Sequence, residues 1–334
     1  MKRYWKVNLD YEIELFKDES SFQLEVKSDL ECLFFFYKQY NQDFLITDIE
    51  YSSEYIEYLN DLGLITNTIT EGAINIENWY GSLKDIELEK QLNSKIKMLE
   101  ILEKLCLAPS SYEFINNKEQ FSELTPKNHF FFKSPYLMSG INSGRAHLNN
   151  PLHYPIIVEP YYKKIIDVSF YYNSETKTGE YYLCSTSKDG AYLGGVVFQQ
   201  QKDFFKYLHK YKSIETLRTK TNILIQYLET LPLKQNLSID SFIYDKEELY
   251  FCSDINYRRN MGELLNQLKS FLPMNGVGEL ILTNKNVPRS LKYNRKAKTG
   301  TIYMSPKNGS SQLIFLCGNN ILEIKKTKYL LAIS

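Results

Sequence analysis

The stretch Ser238–Arg258, SIDSFIYDKEELYFCSDINYR, has the pattern of a β-hairpin. Two runs rich in aromatic and branched apolar residues flank the polar segment Asp245–Glu248, which predicts a turn between two strands. With the turn at this position, Asp240 of the first strand lies opposite Asp254 of the second. The helix-like sequence NMGELLNQLKSFL follows directly, so the end of the hairpin meets the start of a helix.

The polar residues of this hairpin are expected to converge on one face. Because strand side chains alternate, Asp254, Asn256 and Arg258 point to the same side as Asp240. Carboxylate and amide oxygens suit Mg²⁺, and a guanidinium can bind phosphate through two parallel hydrogen bonds. The pattern therefore indicates a metal site formed by Asp240, Asp254 and Asn256, with Arg258 beside it. The alternative is a solvated polar face at the end of an edge hairpin.

Upstream, the stretch Phe130–Leu148, FFFKSPYLMSGINSGRAHL, runs from an apolar strand through Lys133 into a loop rich in Gly and Ser. Such a loop can surround phosphate, because glycine lets the backbone approach and hydroxyl and N–H groups bond the oxygens. The loop residues in question are Ser139, Gly140, Ser143 and Gly144. The sequence is neither a Walker-type P-loop nor a Rossmann fingerprint. An ordinary surface turn would use the same residues.

The stretch Pro155–Tyr172, PIIVEPYYKKIIDVSFYY, predicts two strands with a short break between them. Backbone groups of the segment from Glu159 through Tyr161 to Tyr162 could bond the edge of an adenine, and Asp167 could accept a hydrogen bond from a ribose hydroxyl. The alternatives are that both acids lie on the surface of a hairpin and that the tyrosines only pack.

Composition excludes several classes of function. Lys and Arg balance Asp and Glu, 40 against 40, so no long-range field favours nucleic acid or an anionic membrane. The five cysteines are scattered without close pairs, which favours a reducing, cytoplasmic setting. The N-terminus lacks the apolar core of a signal peptide, and no later apolar run approaches membrane-spanning length.

The chain as a whole divides into three parts. Residues 1–88 predict a small α/β domain, with strand-like LECLFFFY and QDFLITDI and a helix in SSEYIEYLNDLG. Residues 89–272 predict a larger domain, which includes most of a helix over 86–106, several strands and a long helix over 202–231. Residues 273–334 read as short strands packed on this domain.

Taken in order, these features resemble the ATP-grasp superfamily, in its carboxylate-amine ligase type, over about residues 90–270. The resemblance rests on the sequence of motifs along the chain, which is Lys95, Lys133 with its Gly/Ser loop, Glu159, Asp167, Asp240 and Asp254-Ile255-Asn256. Two positions depart from the family pattern. Asp254 stands where the second metal acid is usually glutamate, and Tyr257 stands where a proline is common.

The resemblance implies an α+β protein of the ATP-grasp fold, in which two α+β subdomains clamp ATP and a small α/β pre-grasp-like domain precedes them. Lys95 and Lys133 would contact phosphates, and the lid, within about residues 128–160, would include Ser139 to Gly144. Asp167 would meet the ribose. The hairpin 238–258 would hold Mg²⁺ through Asp240, Asp254 and Asn256. Arg258 and Lys133 would serve in catalysis.

By the same resemblance, the protein would be an ATP- and Mg²⁺-dependent ligase that forms an amide through an acyl phosphate. Its substrate would carry a carboxylate, as an amino acid, a peptide or a ribosomally made precursor, and an amine would be the co-substrate. Two alternatives remain open: a phosphotransferase that uses the same clamp, and a nucleotide-binding regulatory protein without turnover. Homodimer formation is also left open.

Overall fold

The computed structural model describes residues 2–17, 28–37, 40–73, 75–126, 129–136, 142–187, 191–245, 247–283, 292–306 and 312–331. Their strands form three sheets, two of four strands and one of eight. None of the helices in these ranges combines the length and apolar character needed to cross a membrane.

The N-terminal part is a parallel sheet with helices. Its elements are β1 (Arg3–Lys6), α1 (Tyr11–Leu15), β2 (Asp43–Ile46), α2 (Ser53–Asp61), β3 (Thr68–Ile69) and β4 (Ile76–Asn78). The strand order is β3-β2-β1-β4. The predicted strand in QDFLITDI and the predicted helix in SSEYIEYLNDLG are confirmed as β2 and α2. Ser52 caps α2, and Gly63 has a φ of 83° just beyond it.

The strand expected in LECLFFFY is wrong, since Ser28–Phe36 is a 3₁₀ helix. Its apolar side chains from Cys32 to Phe36 are all buried. A continuous apolar run fits a strand buried on both faces and a helix buried all round, so its periodicity could not separate the two.

Two short helices follow, α3 (Ile86–Asn93) and α4 (Lys95–Lys104). The sequence predicted one helix here, and the structure interrupts it at Ser94, which is extended and caps α4 by accepting a hydrogen bond from the Lys97 N–H. Asn93 holds the break in place through two bonds to the backbone of Tyr257, at 2.9 and 3.2 Å. The interruption therefore depends on a residue far along the chain.

A small antiparallel sheet comes next. It consists of β5 (Glu113–Ile115), β6 (Phe130–Lys133), β7 (Gly144–Arg145) and β8 (Ile156–Pro160), in the order β5-β8-β6-β7, with α5 (Lys118–Glu123). Its core contains Phe121, Phe132, Ile156 and Val158. The strands predicted in HFFFK and PIIVEPYY are confirmed as β6 and β8. We call this sheet the lid sheet.

The eight-stranded sheet is antiparallel throughout. Its strands are β9 (Lys164–Asn173), β10 (Thr178–Thr186), β11 (Tyr192–Phe198), β12 (Leu237–Tyr244), β13 (Glu248–Asn256), β14 (Val277–Thr283), β15 (Gly300–Tyr303) and β16 (Gln312–Gly318). Their order is β13-β12-β9-β10-β11-β14-β16-β15. The predicted hairpin is confirmed as β12 and β13, and Asp240 pairs with Asp254 as expected.

Both faces of this sheet are covered. Residues of α3, α4, α6 (Gln201–Leu208), α7 (Ser213–Leu228) and α9 (Ile321–Leu330) share one apolar core with it. The N-terminal part and α8 (Met261–Leu268) share a second core with the other face. Successive residues of a strand pack into opposite cores. Tyr172 packs in the first core and Tyr171 in the second.

Two further expectations differ from the structure. The helix predicted over 202–231 is two helices, α6 and α7, separated near His209. Residues 273–334 were expected to be short strands. β14, β15 and β16 are such strands and pair directly into the eight-stranded sheet, whereas Ile321–Leu330 is a helix. The chain then continues into α9. Ile324 is the one buried residue of this helix, so α9 lacks the stripe of buried apolar residues by which a helix is usually predicted.

The C-terminal strands should therefore matter to global stability. Phe315 in β16 is fully buried and packs against the bare Cα of Gly278. Phe315→Ala should lower the free energy of unfolding by about 3–5 kcal/mol, measured by denaturant titration, because it leaves a cavity in the sheet's core. Tyr329→Ala in α9, 84% exposed, is the control and should change little. Equal effects of the two substitutions would contradict this placement.

Candidate active site

The carboxylate of Asp240 lies at the centre of a polar cluster. Strand β12 runs between β9 and β13, so Asp240 pairs with Ser169 on one side and Asp254 on the other. Ser169 Oγ donates to Asp240 Oδ1 at 2.5 Å, and Asn256 Nδ2 donates to Asp240 Oδ2 at 2.9 Å. The structure therefore brings together Asp240, Asp254 and Asn256 as the hairpin pattern predicts.

Burial raises the pKa of Asp240 from its ordinary value to about 6, and the neighbouring Asp254 charge acts in the same direction. The hydrogen bonds from Ser169 and Asn256 oppose this rise, because they favour the charged carboxylate. Two acids placed side by side in this way favour a cation between or beside them.

A lysine neutralises the second acid. Lys95 is the first residue of α4, and its Nζ lies 3.2 Å from Asp254 Oδ2. Because the helix breaks at Ser94, α4 begins at Lys95. The same break therefore places the Lys95 side chain next to the hairpin. The Lys95 side chain is 9% exposed, so the ion pair with Asp254 is largely shielded from solvent on the lysine side.

A second lysine is held on the lid sheet. Lys133 at the end of β6 forms an ion pair with Glu159 of β8, with 2.9 Å between Nζ and Oε2, and the two side chains are 8% and 7% exposed. Tyr250 of β13 donates to the same carboxylate oxygen at 2.5 Å. Lys133 Nζ also donates to the Ser253 carbonyl at 3.4 Å, so it joins the lid sheet to the hairpin.

Asp167 of β9 forms its own set of contacts. Lys164 Nζ lies 2.8 Å from Asp167 Oδ1, and Thr186 Oγ1 donates to Oδ2 at 2.8 Å. The ammonium of Lys164 also lies over the ring of Phe242, 4.7 Å from its centroid. Asp167 and Ser169, two positions apart on β9, line the same cleft.

The segment between β8 and β9 carries aromatic side chains. The N–H of Tyr161 donates to the His129 carbonyl at 2.7 Å, so this backbone group is already used within the lid sheet. The guanidinium of Arg145 stacks on the Tyr161 ring, 4.0 Å from its centroid. Tyr162 packs with Tyr244, with 4.3 Å between ring centroids.

The expected phosphate loop is only partly described. Ser139 and Gly140 lie outside the described residues. Ser143 lines the cleft. Gly144 is buried in β7, where an added Cβ would lie 2.4 Å from Asn149 Nδ2.

Arg258 is buried rather than free to move. Its Nε donates to Glu12 Oε1 at 2.7 Å, its Nη2 donates to Asn256 Oδ1 at 2.7 Å, and its guanidinium lies 4.9 Å from the centre of the Tyr80 ring. Arg258 and Glu12 are 6% and 5% exposed. The predicted catalytic arginine is thus in the cluster, held by an acid of the N-terminal part.

These groups line a cleft of about 610 Å³ between the lid sheet, the hairpin and the N-terminal part. This volume is typical of sites for small molecules and cofactors. Of the predicted residues, the cleft is lined by Lys95, Lys133, Ser143, Glu159, Tyr161, Tyr162, Asp167, Asp240, Asp254, Asn256 and Arg258.

The donor set suits a hard cation. Within the described ranges, no three residues among His, Cys, Asp and Glu gather as a metal site. Two carboxylates and an amide oxygen are present instead, which fits Mg²⁺, since this ion keeps several waters and phosphate oxygens in its shell. Burial raises the pKa of the Cys184 thiol beside Ser169 well above its ordinary value, which disfavours the thiolate form.

Two charged residues of this cluster, Lys164 and Glu12, were not predicted from the sequence. A single lysine such as Lys164 carries no signal by itself, because lysines are common in this chain. Glu12 gave no signal at all, because it lies 246 positions from Arg258 and its role depends on the tertiary fold.

Comparison with known proteins gives a fold match. The sequence matches no protein-family model and no curated protein. Among solved structures, N5-carboxyaminoimidazole ribonucleotide synthetase from Thermus thermophilus matches with a TM-score of 0.54 at 11% identity, covering 98% of this chain and 97% of that chain.

Two structures from Aspergillus clavatus match with TM-scores of 0.51 at 9% identity. One is a carboxyaminoimidazole ribonucleotide synthase complexed with ATP, for which the match covers 99% of this chain and 90% of that one. The other is an N5-carboxyaminoimidazole synthase in complex with ADP and 5-aminoimidazole ribonucleotide, for which it covers 99% and 98%.

The chain has the ATP-grasp fold. The fold class expected from the sequence is therefore confirmed. Because the matches cover 98–99% of this chain, the shared fold includes its N-terminal part and its C-terminal strands as well as residues 90–270.

The buried pair on the lid sheet should contribute strongly to stability. Glu159→Gln removes the charge that compensates Lys133 in a buried place, so we expect the free energy of unfolding to fall by about 3–5 kcal/mol in a denaturant titration. The control is Glu215→Gln, which removes the partner of Arg218 in an exposed ion pair. That substitution should leave stability unchanged. A Glu159→Gln protein as stable as wild type would show that Lys133 has another compensating partner.

Proposed function

We propose that this protein is an ATP- and Mg²⁺-dependent ligase that joins a carboxylate to an amine. The observation that carries the proposal is the clustering, in one cleft of an ATP-grasp fold, of an acid pair with three buried cations. The acid pair is Asp240 and Asp254, and the cations are Lys95, Lys133 and Arg258.

The nucleotide would occupy the side of the cleft formed by the lid sheet and β9. Lys95 and Lys133 would bind its phosphates, together with the loop of Ser139, Gly140, Ser143 and Gly144. The segment from Glu159 through Tyr161 to Tyr162 would contact the adenine, and Asp167 the ribose. Structural neighbours complexed with ATP or ADP support nucleotide binding by this fold.

Mg²⁺ would be held by Asp240, Asp254 and Asn256. When bound, it would supply charge neutralisation at the phosphates. The chain itself provides the acid pair, the hydrogen bonds that orient Asp240, and the buried lysines. These groups act by position and charge, so no side chain has to form a covalent bond with a substrate.

The reaction would proceed in two displacements. A carboxylate oxygen of the substrate takes the γ-phosphoryl group of ATP, and ADP leaves. The amine nitrogen then forms a bond to the carbonyl carbon, the amine loses a proton, and phosphate leaves. Lys133 and Arg258 would stabilise the negative charge that builds up, while the lid sheet excludes water from the acyl phosphate. The carboxylate would belong to a small molecule or a peptide.

Hydroxylamine offers a direct test, because it traps an acyl phosphate as a hydroxamate. With ATP, Mg²⁺, hydroxylamine and a pool of the common amino acids as carboxylates, the protein should release ADP and form hydroxamate in equal amounts. Formation of a phosphoester without hydroxamate would instead indicate a phosphotransferase and overturn the ligase proposal.

Two substitutions in the same hairpin complete this test. Asp254→Asn should lower the rate by more than about 100-fold, since even outer partners of a metal ligand are worth about 10–100-fold. Asp245→Asn, at the exposed turn, should retain the wild-type rate. A rate that survives Asp254→Asn would remove this acid from the metal site.

A further inference from the structure

A continuous line of hydrogen bonds joins the N-terminal part to the eight-stranded sheet through Asp240. It begins at Glu12 in α1 and ends at Ser169 in β9. The bonds run from Arg258 Nε to Glu12 Oε1 at 2.7 Å, Arg258 Nη2 to Asn256 Oδ1 at 2.7 Å, Asn256 Nδ2 to Asp240 Oδ2 at 2.9 Å, and Ser169 Oγ to Asp240 Oδ1 at 2.5 Å.

The chemistry of Arg258 determines the orientation of the Asn256 amide. A guanidinium can only donate hydrogen bonds, so the amide atom that faces it must be the oxygen. The amide nitrogen then faces Asp240, whose carboxylate accepts from it. The oxygen keeps a second lone pair that can bind a cation while it accepts from Arg258.

Glu12 determines where the Arg258 guanidinium lies. The guanidinium is held at Nε by the Glu12 carboxylate, on its face by Tyr80 and at Nη1 by the Arg259 carbonyl at 3.3 Å. Of these, Glu12 is the charged partner, and both members of the pair are almost fully buried. If no group at this buried place accepted from Arg258 Nε, the guanidinium would have to move to find another acceptor.

We propose that Glu12 is a positioning residue for the metal site, acting through Arg258 on Asn256 and through Asn256 on Asp240. The inference rests on the proposed function, since it concerns the same cation. It makes the N-terminal part a contributor to the site, because removing one acid of α1 disturbs the metal ligands of the hairpin.

The test measures Mn²⁺ affinity of the protein with ADP, from the electron paramagnetic resonance signal of free Mn²⁺. Partners that orient metal ligands are typically worth about 10–100-fold in metal affinity, and Glu12→Ala should lose affinity in this range. Glu12→Asp should lose as much, because the shorter side chain keeps the charge but does not reach Arg258. Glu12→Gln should retain most of the affinity, because its amide oxygen still accepts from Nε.

The neighbouring arginine provides a matched control. Arg259 Nη1 lies 2.7 Å from Glu263 Oε1, in an ion pair whose acid is as buried as Glu12, but it has no hydrogen bond to Asn256. Glu263→Ala removes a comparable charge, and Mn²⁺ affinity should stay near the wild-type value. Thermal unfolding of each variant shows which of them are folded, and the comparison of Glu12→Asp with Glu12→Gln suffices if Glu12→Ala does not fold.

A double substitution tests whether Glu12 acts through Asn256. In an Asn256→Ala background, Glu12→Asp should cause no further loss of Mn²⁺ affinity, because the residue through which it acts is gone. Equal losses for Glu12→Asp and Glu263→Ala, equal affinity of Glu12→Asp and wild type, or additive losses in the double variant would each overturn the positioning role. Absence of Mn²⁺ binding by wild-type protein with ADP would overturn the proposed function itself.

Discussion

The rest of the site depends on one constraint. The carboxylate of Asp240 is buried next to the carboxylate of Asp254. The Asp254 charge raises the pKa of Asp240, so hydrogen-bond donors and cations are needed to stabilise the charged Asp240 carboxylate. The compensation comes from Ser169, Asn256 and Lys95, which belong to three different elements. The site therefore exists only where β9, the hairpin and α4 are assembled together.

Contacts between cations and acceptors also join the parts of the chain. Lys133 of the lid sheet connects to the hairpin through the Ser253 carbonyl. Arg258 connects the hairpin to Glu12, and Arg259 donates to the Trp79 carbonyl at 2.9 Å. Each of these contacts brings a cation of one part to an acceptor of another. Side chains that line the cleft therefore also hold the parts of the chain together.

Sequence could predict the hairpin, because two alternating strands flank a local polar turn. The predicted pairing of Asp240 with Asp254 is correct, but the register shift between Asp240 and Phe242 that accompanies it was not predicted. The order of motifs from Lys95 to Asn256 was sufficient for the fold. The 3₁₀ helix at Ser28–Phe36 and the break at Ser94 were not predicted, since burial on all sides decides the first and Asn93 contacts decide the second. The role of Glu12 could not be predicted either, because Glu12 contacts the cluster only in the folded chain.

The central claim is that the two carboxylates of the hairpin bind the metal that accompanies a nucleotide. The most direct measurement is anomalous diffraction from crystals of the protein grown with ADP and Mn²⁺. The account predicts a manganese peak in contact with both the Asp240 and the Asp254 carboxylates, in the cleft that contains Lys95 and Lys133. ADP bound in the cleft with Lys95 still paired to Asp254 and no manganese beside either acid would contradict it.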